Sequence, residues 1–172
     1  MSATGASGMS GRTGWRDLVA RQPTGVTILV VDDDDDVRTG LTKLLMSAGC
    51  LVRSARSAEE ADTYLARDRF DVCLLDIELP GMSGVEFLVW AEARDPEMAV
   101  IMLTGMDAPD LALECLDGGA RTFLVKPVDA AFLLRAVRDA AVVRRLLVEC
   151  NTHLIDLYPR AEETRGPHTP DR

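Results

Sequence analysis

The residues with the clearest chemical potential are acidic. Asp32 to Asp36 form a run of five aspartates, and Asp76 closes a separate apolar segment. Most acidic runs are solvated stretches. This one directly follows a short β-branched run and leads into a helical pattern, so at least Asp32 and Asp33 are held by the fold. Asp34 to Asp36 suit a helix start, where carboxylates meet orphan N–H groups and the positive end of the helix dipole. With Asp76 beside Asp32 and Asp33, three carboxylates would repel one another and raise their pKa values. A divalent cation removes that problem, and hard oxygen ligands suit Mg²⁺ better than zinc or copper. Lys126 offers a point positive charge and Thr104 a hydroxyl donor. Together these groups describe a carboxylate nucleophile that accepts a phosphoryl group, its charge offset by metal, lysine and threonine.

Such residues must be gathered by the fold, and the pattern between them alternates strand and helix. Apolar runs at 27–31, 72–75, 100–103 and 122–125, with a weaker segment at 51–55, predict five strands. Val37, Leu41, Leu44, Leu45 and Ala48 recur at helical spacing up to Gly49. Ser57-x-x-Glu60 and Ser83-x-x-Glu86 predict capping boxes that open two further helices. A short helix spans 109–116, and a long one begins near Asp129. Alternation of this kind predicts an α/β fold, a parallel sheet with helices on both faces. Chemistry in such sheets sits at the carboxyl ends of the strands. That rule selects Asp32, Asp33, Asp76, Thr104 and Lys126.

Composition sets outer limits. The 172 residues suffice for one domain and tails, and 47% are hydrophobic, so a sizeable core is available. With 19 Lys and Arg against 28 Asp and Glu the formal charge is −9, which argues against nucleic-acid binding through a basic surface. No apolar run is long enough to span a membrane, and the opening MSATGASGMSGRTG lacks a signal-peptide core. A cytoplasmic chain is expected. Cys50, Cys73, Cys115 and Cys150 are scattered, and read as buried, reduced small hydrophobes.

The stretches ILVVDDDDDVR at 28–38, VCLLDIELPGMSG at 72–84, VIMLTG at 100–105 and GGARTFLVKPVD at 118–129 closely resemble the receiver domain of two-component response regulators. The resemblance covers about residues 26–148. It implies a flavodoxin-like (βα)5 domain, doubly wound, with strand order 2-1-3-4-5. It implies that Asp76 is the phospho-acceptor, that Asp33 binds Mg²⁺ directly and Asp32 largely through water, and that Glu78 lends a backbone carbonyl. Thr104 resembles the switch hydroxyl and Lys126 the phosphate-contacting lysine. Lys126-Pro127 resembles the family's cis turn, and Phe123 stands at the aromatic switch position. Glu78 and Met106 would flank the route of hydrolytic water. The implied partners are a sensor histidine kinase or a histidine phosphotransfer protein. The implied output is a population shift at the surface made by the fourth helix, fifth strand and fifth helix, and the only catalysis is the protein's own phosphorylation and dephosphorylation.

The expected layout is a disordered leader at 1–24, the receiver at 25–148, and a helical extension with a flexible tail at 149–172. Too little chain follows the receiver for an output domain, so a stand-alone receiver acting through protein contacts, without DNA, is expected. Ala136, Ala140, Val143, Leu147, Cys150, Leu154 and Leu157 repeat at spacings of four and three, the pattern of a coiled-coil seam. Its second half either joins a second copy or a partner helix, or packs back on the domain. Two other readings compete. Asp33-x-Asp35-x-Val37 also matches the nucleophile motif of haloacid-dehalogenase-type phosphatases, though no later acidic pair follows Lys126. A pseudo-receiver that never takes phosphate is the third.

Overall fold

Two of the five apolar runs are buried along their whole length, and that sets the middle of the sheet. β3 (Val72–Asp76) and β4 (Ala99–Thr104) are buried at every residue, as strands covered on both faces must be. β1 (Thr27–Val31) lies beside β3, with β2 (Leu51–Ala55) outside it. β5 (Thr122–Val125) is the opposite edge. All pairings are parallel, and the order is 2-1-3-4-5. The computed structural model describes residues 25–105 and 109–157. The expected leader, Met106 and the tail lie outside them. None of the described helices is long and apolar enough to cross a membrane.

The helices are α1 (Asp35–Ser47), α2 (Ala58–Leu65), α3 (Gly84–Arg94), α4 (Pro109–Asp117) and α5 (Ala130–Leu157). Side chains alternate across the strands, so each helix layer meets its own set. Leu29, Val31, Cys73, Leu75, Val100 and Met102 pack with α2, α3 and α4. Ile28, Val30, Val72, Leu74, Ile101 and Leu103 face Leu45 of α1 and Leu133, Val137 and Ala140 of α5. Removing Leu133 and Val137 from water contributes about 2 kcal/mol each.

Caps set the helix ends. Asp34 accepts from Asp36 N–H and Val37 N–H at the start of α1. Its far end is a Schellman turn, with Gly49 at φ 85 and Cys50 N–H bonded to Leu45 O at 3.1 Å. The Ser83 box at α3 is complete. The Ser57 box is not: Ser57 accepts from Glu60 N–H, but the Glu60 carboxylate reaches one residue further back, to Arg56 N–H at 2.9 Å. It therefore fixes the approach to α2 rather than the cap.

Below the sheet, Asp71 ties three elements together. Its Oδ2 accepts from Thr27 N–H and Thr27 Oγ1, both at 2.8 Å, and its Oδ1 accepts from Arg144 Nη1 at 2.7 Å. One turn or two further on, Asn151 Nδ2 donates to Glu97 Oε1 at 2.9 Å. The helical extension is thus held against its own domain along one side. Leu146, Leu147 and Cys150 remain exposed. The side chains of Leu154 and Leu157 lie outside the described set. Of the four cysteines expected to be buried, Cys50, Cys73 and Cys115 are, but Cys150 is exposed. Its side chain lies on the stretch of α5 beyond Ala140, the last α5 residue in the buried core.

Asp71→Ala is expected to lower the unfolding free energy by about 3 kcal/mol, because it strands the partly buried Arg144 guanidinium. Urea unfolding of the two proteins checks this; equal midpoints would show that the tie carries no stability.

Candidate functional site

Strand order brings the acidic groups together. β1 and β3 are neighbours in the register Val31↔Leu75. Asp32, the next residue on one chain segment, therefore meets Asp76, the last residue of β3. Carboxylate oxygens of Asp32, Asp33 and Asp76 all lie within 4.8 Å of one another. Asp32 and Asp76 are buried, and Asp33 faces solvent. Lys126 leaves the end of β5 and reaches across β4. Its Nζ stands 2.7 Å from Asp32 Oδ2 and 2.8 Å from Asp76 Oδ2. Thr104 ends β4, is buried, and pairs with Val125. Its carbonyl accepts the Lys126 N–H at 2.7 Å, which links the two residues through the backbone. The Lys126–Pro127 peptide is cis.

The electrostatics follow from burial and charge. Burial pushes the Asp32 carboxyl above its ordinary value, and the neighbouring Asp76 charge adds to this; the contact and charge of Lys126 and the Asp34 N–H only partly offset it. Burial pulls Lys126 down, but hydrogen bonds to Asp32 and Asp76, with their negative charge, carry it above its ordinary value. Asp32 Oδ2 has the Lys126 ammonium as its close partner. Three carboxylates share that one cation, and a hard cation suits their converging oxygens, so the residues present fit Mg²⁺. Of the further expected groups, Glu78 is exposed and turns its N–H toward Asp76 Oδ1, at a long 3.4 Å. Phe123 is 37% exposed, so it is not a core side chain in this state.

Other residues shape the site without being legible as part of it. A Cβ on Gly84 would fall 1.9 Å from the Asp76 carbonyl oxygen. Only glycine lets the start of α3 close over the end of β3, with Gly84 N–H on Ile77 O at 2.9 Å. Glu59, at the start of α2, is held below its ordinary pKa by the Ser57 hydroxyl and also by the Met82 N–H of the β3–α3 loop. Arg38 donates to the carbonyls of Asp32 and Asp33. It lies inside the first quoted motif, but an arginine one turn into a helix gives no signal of where its guanidinium folds back.

A doubly wound sheet of this order, with its acidic cluster at the carboxyl edge beside a strand-end lysine, defines a class of phosphoryl-accepting signalling domain, and the comparisons agree with it. The sequence model of the response regulator receiver domain matches residues 28–138, and the chain belongs to that family. It is 37% identical over 135 residues to the C4-dicarboxylate transport transcriptional regulatory protein DctD of Pseudomonas aeruginosa, which covers 78% of this chain and 29% of the relative. It is 41% identical over 117 residues to the transcriptional regulatory protein FixJ of Azorhizobium caulinodans, covering 67% of this chain and 55% of the relative. The chain thus spans only part of these longer regulators. A CheY-like receiver domain protein from Methanospirillum hungatei superposes with a TM-score of 0.68 at 30% identity, over 71% of this chain and 98% of that one.

Asp32→Asn is expected to raise the urea midpoint of the metal-free protein near neutral pH. Because the folded-state pKa is raised, ionised Asp32 opposes folding: the penalty is absent below the ordinary value of 3.8, grows above it, and is complete once pH passes the folded value. Lys126 has the opposite linkage. Its contribution is present below its ordinary 10.5 and is lost only as pH climbs through the higher folded value, so it does not confuse the comparison. Urea titrations of both proteins from pH 3 to 8 (about the range spanned by carboxylate titration) check the sign. A variant no more stable than the parent at neutral pH contradicts it.

Proposed function

We propose that the protein is a phosphorylation-activated switch whose acceptor is Asp76. The observation that carries this reading is the Asp76 carboxylate at the end of a buried strand, 2.8 Å from Lys126 Nζ and grouped with Asp32 and Asp33. The donor is a phosphohistidine on a sensor kinase or phosphotransfer protein. An Asp76 oxygen attacks the phosphorus, the P–N bond breaks, and the electron pair leaves on the imidazole nitrogen. Asp32, Asp33 and Asp76, with the Glu78 carbonyl, would hold Mg²⁺, which supplies positive charge against the phosphoryl oxygens. Lys126 now bridges two carboxylates; esterification of one frees it to pair with a phosphoryl oxygen. Its N–H bond to the Thr104 carbonyl means that the two residues shift together. Thr104 donates its hydroxyl to the phosphoryl group, and half-exposed Phe123 moves into the space left behind. Water later cleaves the acyl phosphate and resets the switch. On this reading the only reaction catalysed is the protein's own phosphorylation and its reversal, and the setting is cytoplasmic.

The output is read by protein contacts at the surface of α4, β5 and α5. We also infer a second copy as an occupant of the α5 seam. Arg144 and Asn151 fasten one side of the helix to the domain, while Leu147 and Cys150 stay exposed at seam positions.

Asp76→Asn is expected to abolish labelling by acetyl phosphate with Mg²⁺, and chelation of the metal to suppress labelling of the parent. Full labelling of the variant, mapped to another aspartate, would overturn the assignment; ester turnover that survives the substitution would favour a phosphatase. For the seam, sedimentation of the full chain is expected to give a dimer that Leu147→Glu converts to monomer. A monomeric parent removes the dimer.

A further inference from the structure

We propose that Arg38 is a positioning residue for the acid pocket, setting the affinity of the Asp32–Asp33–Asp76 site for Mg²⁺ without touching the ion. The inference rests on the metal reading above and adds a residue to it.

The pocket's weakest part is the segment between β1 and α1. Asp33 is exposed and belongs to neither element, and the aspartates that follow repel it. That backbone is pinned before any ion arrives. Asp32 N–H is bonded to Ala55 O at 3.1 Å, and Asp34 N–H to Asp32 Oδ1 at 3.0 Å. Arg38 provides the remaining restraint. One guanidinium nitrogen donates to the carbonyl of Asp32 at 2.8 Å and lies 3.4 Å from that of Asp33, while the other pairs with the Asp35 carboxylate. The Arg38 side chain is only 16% exposed, so the arrangement is partly shielded from water.

Each bonded carbonyl belongs to a residue whose carboxylate faces the site. Fixing a carbonyl fixes ψ of that residue, and with it the direction of the chain that carries the next aspartate. The guanidinium also places a delocalised positive charge behind the turn, where it offsets aspartate repulsion without competing for the carboxylate oxygens that face the ion. A planar fork can hold backbone carbonyls and a carboxylate together; a lysine ammonium keeps the charge but not that geometry. Outer groups that orient metal ligands typically change affinity by about 10- to 100-fold when removed. The loss is expected in binding rather than in chemistry, because Arg38 reaches the reaction only through the backbone of the ligands.

Mg²⁺ titration by calorimetry on the full chain tests this, paired with acetyl phosphate labelling as a function of Mg²⁺. Arg38→Ala is expected to weaken Mg²⁺ binding about 10-fold and to shift half-saturation of labelling equally. The labelling rate at saturating Mg²⁺ stays near that of the parent. Arg38→Lys recovers only part of the affinity, and Asp35→Ala stays within about 2-fold, since an exposed ion pair contributes little. Urea unfolding in EDTA confirms that each variant is folded; if Arg38→Ala is not, Arg38→Lys carries the same comparison. Parent-like Mg²⁺ affinity in the folded variant overturns the inference, as does a fall in saturated rate with affinity unchanged. A parent that binds no Mg²⁺, as Asp33→Ala is expected not to, overturns the metal reading itself and the inference with it.

Discussion

Three carboxylates and one ammonium share a space too small for the carboxylates alone, and the architecture is arranged around that conflict. Asp32 is completely buried and Asp76 nearly so, and in a low-dielectric setting their repulsion is not screened away. Lys126 spans the two and is raised in pKa by both. The resting arrangement is therefore held by a lysine shared between two carboxylates, and on the proposed reading esterification of Asp76 removes one of those two negative partners. The conflict sits at the carboxyl ends of β1, β3 and β5, and the Lys126 N–H bond to the Thr104 carbonyl ties it to β4 as well.

The rest of the fold keeps that conflict in place. A parallel sheet with β1 and β3 adjacent is the reason Asp32 and Asp76 meet at all. Gly84 lets α3 seal the end of β3, and Glu59 holds the intervening loop from the side. At the opposite edge of the sheet, Asp71 joins β1, the entry to β3 and α5. The rigid end and the reactive end are thus separated by one strand length, which allows the loops to carry chemistry on a fixed base.

Much of this was readable from residue order. Strand and helix alternation is a period signal, and β3 is a short apolar run closed by a polar residue, so its end at Asp76 could be located directly. The family resemblance supplied roles that spacing alone did not. What the sequence hid were contacts between residues distant in the chain. Asn151 and Glu97 meet only because α5 runs back beneath the sheet, and helical periodicity reports a face without reporting what lies opposite. Arg38 sits in a legible motif, yet its fold-back onto the carbonyls of Asp32 and Asp33 depends on the turn's dihedrals. Cys150 followed the seam period of its neighbours, but period does not separate a core position from an uncovered one. Glu60 looked like half of a capping box because the spacing was right, and the backbone entering α2 took the bond one residue earlier.

Four thiols divide into three that are shielded in the core and one on the helix flank. Burial pushes the Cys73 thiol up to about 12 and raises Cys50 and Cys115 as well, so all three are poor nucleophiles near neutrality. A single chain therefore offers one addressable thiol, Cys150, which a seam dimer would cover. A fluorophore or spin probe attached there by maleimide chemistry would report motion of the distal helix without any engineered cysteine.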